Sequence, residues 1–350
     1  MGNSRIIGID VFRLIAAFSI IFVHVGTYSS LPLIVGVELR LLARWAVPFF
    51  FIVSGYFAAP YVVSKHERLT DISARMLAVF FVANIIFLPL RVHQEGVGST
   101  LHKVLSLNLI FGGLAGHLWF ISSFSIAMLV FYMLRSYDAH KMTKILVALS
   151  LIVLVFVAYH PGYRSSWEFA RYITSFPFIY MGMVFRLKNI KLGVKFSVLL
   201  IFFGIASQNL EAYLLYRAFE ANPLLHNFLL GTIPFSIGMF LLALEIPDST
   251  KARRFAAVGA KYSLGIYIFH PYFIYLLESI DLKNSVVSEA VFQVAIVPLC
   301  FALTLLSIIL LNRFFPCLLK LVSGDSRTIK QADALIPLPA ALKMSDKSII

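Results

Sequence analysis

The sequence predicts an all-α membrane protein, a bundle of about ten transmembrane helices with both termini cytoplasmic, and three observations carry that expectation. Of the 350 residues, 60% are hydrophobic and only 13% charged. Mean hydropathy is +0.87, well beyond the apolar share of a soluble domain. Apolar segments of spanning length, about 20 residues each, recur at 6–28, 39–60, 74–92, 116–134, 143–160, 168–186, 194–210, 225–246, 262–280 and 287–312. Lys and Arg, finally, concentrate in alternate connections, as expected of loops retained in the cytoplasm.

With the N-terminus inside, the inner connections hold Arg5; Lys65, Arg68 and Arg75; Arg135, Lys141 and Lys144; Arg186, Lys188, Lys191 and Lys195; Lys251, Arg253, Arg254 and Lys261; and the basic residues from Arg313 onward. The outer connections hold fewer: Arg40, Arg44, Arg91, Lys103, Arg164, Arg171, Arg217 and Lys283. The net charge of +13 is therefore a topology signal, and nucleic acid is not an expected partner. Two cysteines, Cys300 and Cys317, exclude a disulfide framework. A signal peptide is not expected at the N-terminus, because the apolar run is long, contains Arg13 and lacks a small-residue cleavage site.

The first segment carries Asp10, Arg13 and His24. Ten residues separate Arg13 from His24, so a helix returns them to one face about 16 Å apart along its axis. An arginine inside a spanning helix costs roughly 2.5–3.5 kcal/mol on insertion scales and usually serves a wet cavity or a protein interior. Asp10 is close enough to pair with Arg13. Two readings fit: a polar stripe leading from one membrane surface to a buried imidazole, or a structural ion pair near the interface with a core histidine. As a reactive group, a neutral His24 imidazole suits a general base that takes a proton from an attacking alcohol.

The second segment is rich in aromatics, and the third is preceded by Arg68 and opened by Arg75, guanidinium groups that suit phosphate. The fourth opens after a Gly-rich run on His117 and Trp119, which suit either stacking against a sugar at a membrane entrance or an aromatic interface belt. Between the seventh and eighth segments, the polar stretch 208–227 has room for a short interfacial helix. The ninth contains Tyr267, His270 and Pro271. Pro271 lacks the N–H that would reach the Tyr267 carbonyl, so a kink with a freed acceptor is expected. Residues 1–315 are expected to form one transmembrane domain and 316–350 a flexible cytoplasmic tail. The tail's Gly324-Asp325-Ser326 matches an esterase tripeptide without room for a hydrolase domain. No internal repeat, nucleotide-binding glycine motif or metal-ligand spacing is present.

Four motifs in order resemble the acyltransferase-3 family of integral membrane acyltransferases. They are Arg13 followed at ten residues' interval by His24; Val47-Pro48-Phe49-Phe50-Phe51-Ile52-Val53-Ser54-Gly55-Tyr56; His117-Leu118-Trp119-Phe120; and Tyr267-Ile268-Phe269-His270-Pro271. The match covers about residues 5–315. The resemblance implies transfer of an acyl group, commonly acetyl from cytoplasmic acetyl-CoA, to a hydroxyl of an extracytoplasmic carbohydrate such as a surface polysaccharide or its lipid-linked precursor. It assigns catalysis to His24, with Arg13 and Asp10, and the donor site to Arg13, joined on the inner side by Arg68 and Arg75. On the acceptor side would stand His117, Trp119, Tyr267 and His270. No metal and no tightly bound cofactor is implied; acetyl-CoA is a co-substrate, and the partners are acyl-CoA, a carbohydrate and the lipids of a bacterial inner membrane. The family often has a denser arginine cluster after the second helix than Arg68 and Arg75 provide. The rival class is a secondary transporter or lipid flippase, whose intramembrane charges would line a substrate path.

Overall fold

The computed structural model describes residues 6–26, 28–63, 68–134, 139–159, 167–220, 228–280 and 288–315; the predicted tail, 316–350, lies outside them. Among the described residues the chain is helical throughout, with no strand. The helices are α1 (Ile7–His24), α2 (Leu33–Leu41), α3 (Ala46–Val63), α4 (Arg68–Glu95), α5 (Val97–Leu105) and α6 (Asn108–Gly112). After a 3-10 turn at Gly116–Leu118 come α7 (Trp119–Met133), α8 (Ala139–Tyr159), α9 (Trp167–Leu187), α10 (Gly193–Phe219), α11 (Thr232–Leu244), α12 (Thr250–Glu278) and α13 (Glu289–Phe314).

Each predicted apolar segment falls on a helix, and six helical stretches are long and apolar enough to cross a membrane: Ile7–His24, Leu33–Val62, Arg68–Glu95, Gly116–Met133, Gly193–Phe219 and Glu289–Phe314. The boundaries differ for physical reasons. An apolar run marks only the stretch that suits hydrocarbon, whereas a helix satisfies its own backbone and continues into polar surroundings. So α12 begins at Thr250, its first turn capped by the Ser249 hydroxyl, which accepts the Ala252 N–H, well before the apolar run that starts near 262. Of the stretch 208–227, which has room for a short interfacial helix, residues up to Phe219 continue α10, and 221–227 lie outside the described residues. The polar residues of α10 are used in packing: Gln208 accepts from the Thr232 hydroxyl at 2.8 Å, and Glu211 accepts the Leu230 and Gly231 N–H groups at 2.9 and 3.1 Å. The second segment is preceded by the separate short helix α2, and α11 is shorter than the predicted 225–246. The short helices α5 and α6 fill a connection that carries no spanning run.

Without a hydrophobic force between helices in lipid, close backbone approach at small residues governs packing. Gly8 of α1 faces the Ala243 carbonyl of α11, and Gly259 of α12 faces the Asp10 carbonyl of α1, with no room for a Cβ at either. Gly55 of α3 and Gly182 of α9 likewise abut each other's helix backbone. Asp10 meets Gly259 and His24 meets His270, so α1 and α12 run in the same direction. The buried core is aromatic, with Phe49, Phe51, Phe87, Phe131 and Phe240 fully enclosed. Leu199, Phe202, Phe203 and Leu210 of α10 instead point outward, a surface that suits lipid chains.

Candidate functional site

A cavity of about 450 Å³ opens at the end of the bundle where α1 terminates; His24, His117 and Trp119 line it, together with Arg40, Arg44 and Arg91. His24 is the last residue of α1 and is half-buried, with Val25 turning into extended backbone. The carbonyls released past this helix end need donors. Arg40 supplies them, its Nη1 donating to the Val25 and Gly26 oxygens at 3.4 and 3.0 Å.

His117 reaches the same place from a shaped turn. Gly113, in the left-handed region at φ 71°, lets the chain reverse, and the next N–H, that of Leu114, donates to Asn84 Oδ1 of α4. The following 3-10 turn carries His117 inward. It is buried, its Nε2 donating to the Ile268 carbonyl at 3.2 Å. The exposed imidazole expected here is therefore enclosed, because a buried ring nitrogen must find a partner and α12 offers one. Trp119, half-buried, keeps its place on the cavity wall.

His270 is fully buried on α12. Pro271 withholds the N–H that would have bonded the Tyr267 carbonyl, and the His270 ring takes that acceptor: its Nδ1 lies 2.7 Å from the Tyr267 oxygen and 3.2 Å from that of Ile266. Carbonyls only accept, so Nδ1 carries a proton. Nε2 is buried and makes no hydrogen bond among the described residues. The Tyr267 hydroxyl donates to the His117 carbonyl, tying α12 to the 3-10 turn. The Cys300 thiol, buried on α13, donates to the His270 carbonyl at 3.3 Å.

Three rings from distant parts of the chain thus converge. Centroid distances are 5.1 Å for His24–His270, 5.4 Å for His117–His270 and 6.0 Å for His24–His117. Among the described residues no group of three His, Cys, Asp or Glu side chains is arranged to hold a metal ion. His24 and His117 reach the cavity, while His270 and Tyr267 stand behind them. His24 is half-buried and faces this opening, where the first reading of the sequence placed a buried imidazole. An imidazole at a cavity wall, backed by two rings whose own protons are held by carbonyls, can accept a proton from a hydroxyl that enters.

The remaining predicted residues lie toward the other end of α1 and outside the cavity lining. Arg13 Nη1 meets Asp10 Oδ1 at 3.4 Å, the expected pair. Asp10 is buried and Arg13 is 34% exposed at its side chain. Arg68 is buried and stacks on Tyr61 at 5.3 Å, and Arg75 sits two turns on along α4, half-buried. Sequence reasoning did not place Arg40, Arg44 and Arg91 at this cavity, counting them only as outer-side charge. The signal was there: they are cations on the side where the charge bias makes cations scarce.

A family model described as an acyltransferase domain matches residues 6–313. An amino-acid racemase of Enterococcus faecalis is 24% identical over 315 residues, 80% of this chain and 43% of the relative. A serine/alanine racemase of Enterococcus gallinarum is 34% identical over 124 residues, 32% of this chain and 17% of the relative. The chain therefore spans less than half the length of these curated relatives. No solved structure matches it. The matched region takes in the helical bundle, the three converging histidines and the Asp10–Arg13 pair, and the chain belongs to the acyltransferase-3 family of membrane acyltransferases.

Proposed function

We propose that this chain is an O-acyltransferase of a bacterial inner membrane, moving an acetyl group from cytoplasmic acetyl-CoA to a hydroxyl of an extracytoplasmic carbohydrate, a surface polysaccharide or its lipid-linked precursor. The observation that carries the reading is the convergence of His24, His117 and His270 at the cavity, with centroids 5.1–6.0 Å apart. In this scheme the acceptor hydroxyl enters past Trp119 and loses its proton to His24 as its oxygen attacks the thioester carbonyl. The carbon–sulfur bond then breaks, and the departing CoA thiolate takes the proton back from the His24 imidazolium. His270 and His117 position His24, and Tyr267 fixes His117. No nucleophilic side chain of the protein is needed, because the acceptor attacks directly.

The donor's phosphates would sit at the opposite end of α1, near Arg13 with Arg68 and Arg75, and its acyl-pantetheine arm would extend about 16 Å along α1 to His24. Holding the thioester inside the bundle limits bulk water and so favours transfer over hydrolysis. The test is direct: purified protein supplied with acetyl-CoA and a neutral oligosaccharide should release CoA and form hydroxylamine-labile ester in equal amounts. CoA release without ester, or no reaction with any hydroxyl acceptor, would count against transfer.

A further inference from the structure

We propose that Arg40, Arg44 and Arg91 form a subsite for an anionic group on the acceptor, a carboxylate or phosphate carried by the carbohydrate. The proposal rests on the reading of this cavity as the acceptor site. The three side chains come from α2, from the turn between α2 and α3, and from α4, and all line the cavity that His24 faces. No Asp or Glu is among the described residues of that lining. Two of the guanidinium groups are held in place by single nitrogens: Arg40 by the carbonyls past α1, Arg91 through Nη1 by Gln94 at 3.2 Å and Glu95 at 2.9 Å. Glu95 is shared, its other oxygen accepting from Lys103 at 2.6 Å. Arg44 makes no hydrogen bond or ion pair among the described residues, and the Nε atoms of all three arginines are buried without one.

Half-buried cations gathered at the mouth of an apolar bundle repel one another and favour an anion between them. Among the described residues only Arg91 of the three is ion-paired with a carboxylate, that of Glu95, which it shares with Lys103. The planar fork of arginine matches a carboxylate or phosphate with two parallel hydrogen bonds, so the charge this cavity lacks is that of an oxyanion. Anchoring such a group beside Arg44 would leave a neighbouring ring hydroxyl within the space that His24 and Trp119 border. The charge bias along the chain agrees: these arginines lie on the side where cations are otherwise few.

The experiment is calorimetric titration of the purified full-length protein in detergent with trigalacturonic acid, its trimethyl ester, inorganic pyrophosphate and, separately, acetyl-CoA. The acid or pyrophosphate should bind about tenfold or more tightly than the neutral ester, the difference expected for charge-assisted hydrogen bonds. Preference for the acid identifies a sugar carboxylate, and preference for pyrophosphate identifies a phosphate such as that of a lipid-linked precursor. Arg44→Gln should abolish the preference and leave acetyl-CoA affinity unchanged, and Arg91→Gln provides the second variant should the first fold poorly. Equal binding of acid and ester, absence of binding by both anions, or loss of acetyl-CoA affinity in the variants would overturn the subsite. Ester formation on a neutral oligosaccharide would still stand in each of those cases, so the two readings fail separately.

Discussion

His24→Ala is expected to lower acyl transfer by about 10²–10⁴-fold, the usual loss on removing a general base, while the protein still inserts and purifies. His24 is half-buried at the end of α1, where the helix gives way to extended backbone, so truncation to Ala opens little space in the packed core. His24→Gln should fail equally, because an amide keeps the hydrogen bonding but accepts no proton at neutral pH. The measurement is initial rate of ester formation at saturating donor and acceptor. Near wild-type turnover in purified His24→Ala would remove the proposed base and shift attention to His117, the other ring that reaches the cavity.

Arg13→Lys is expected to raise KM for acetyl-CoA by about tenfold or more with a much smaller change in kcat, since a hydrogen bond to a charged group is worth about 1.5–3 kcal/mol. A point ammonium cannot hold Asp10 and a phosphate with one planar fork. The split between KM and kcat separates the two readings of this pair. Arg13 lies about 16 Å from His24 along α1 and outside the cavity lining, so a donor-binding residue there should affect affinity and not the chemical step. A fall in thermal stability with donor KM unchanged would make Arg13 a structural partner of Asp10.

Much of the architecture was legible because membranes simplify the problem. Long apolar runs must be helices, and alternate basic connections assign the helix ends to two sides. The ends that the charge pattern groups together, those at His24, Arg91, Trp119 and Tyr275, do meet around one cavity. The Asp10–Arg13 pair followed from spacing within one helix, and the freed Tyr267 acceptor followed from Pro271. What could not be read was meeting between helices. His117 and His270 are separated by more than a hundred residues, and nothing in either local pattern says that one backbone carbonyl of α12 will hold the other's ring. The same holds for Arg44, which meets Arg40 and Arg91 at a cavity whose described lining holds no Asp or Glu. Helix extent was misread for a different reason: polar residues from Glu211 onward ended the apolar run, yet α10 continues through them, with Glu211 accepting the Leu230 and Gly231 N–H groups just before Thr232.

The most direct test is the sidedness of transfer. In sealed, right-side-out vesicles, radiolabelled acetyl-CoA enclosed in the lumen should label an oligosaccharide supplied only outside, and the label should stay on it as an ester. Trp119→Ala should weaken use of that acceptor and spare acetyl-CoA binding, because the ring borders the cavity and not the Arg13 end. The expected result is ester on the outer acceptor, dependent on His24 and on luminal donor. Labelling that required acetyl-CoA outside would invert the proposed orientation, and unmodified solute crossing the bilayer without ester formation would establish a transporter instead.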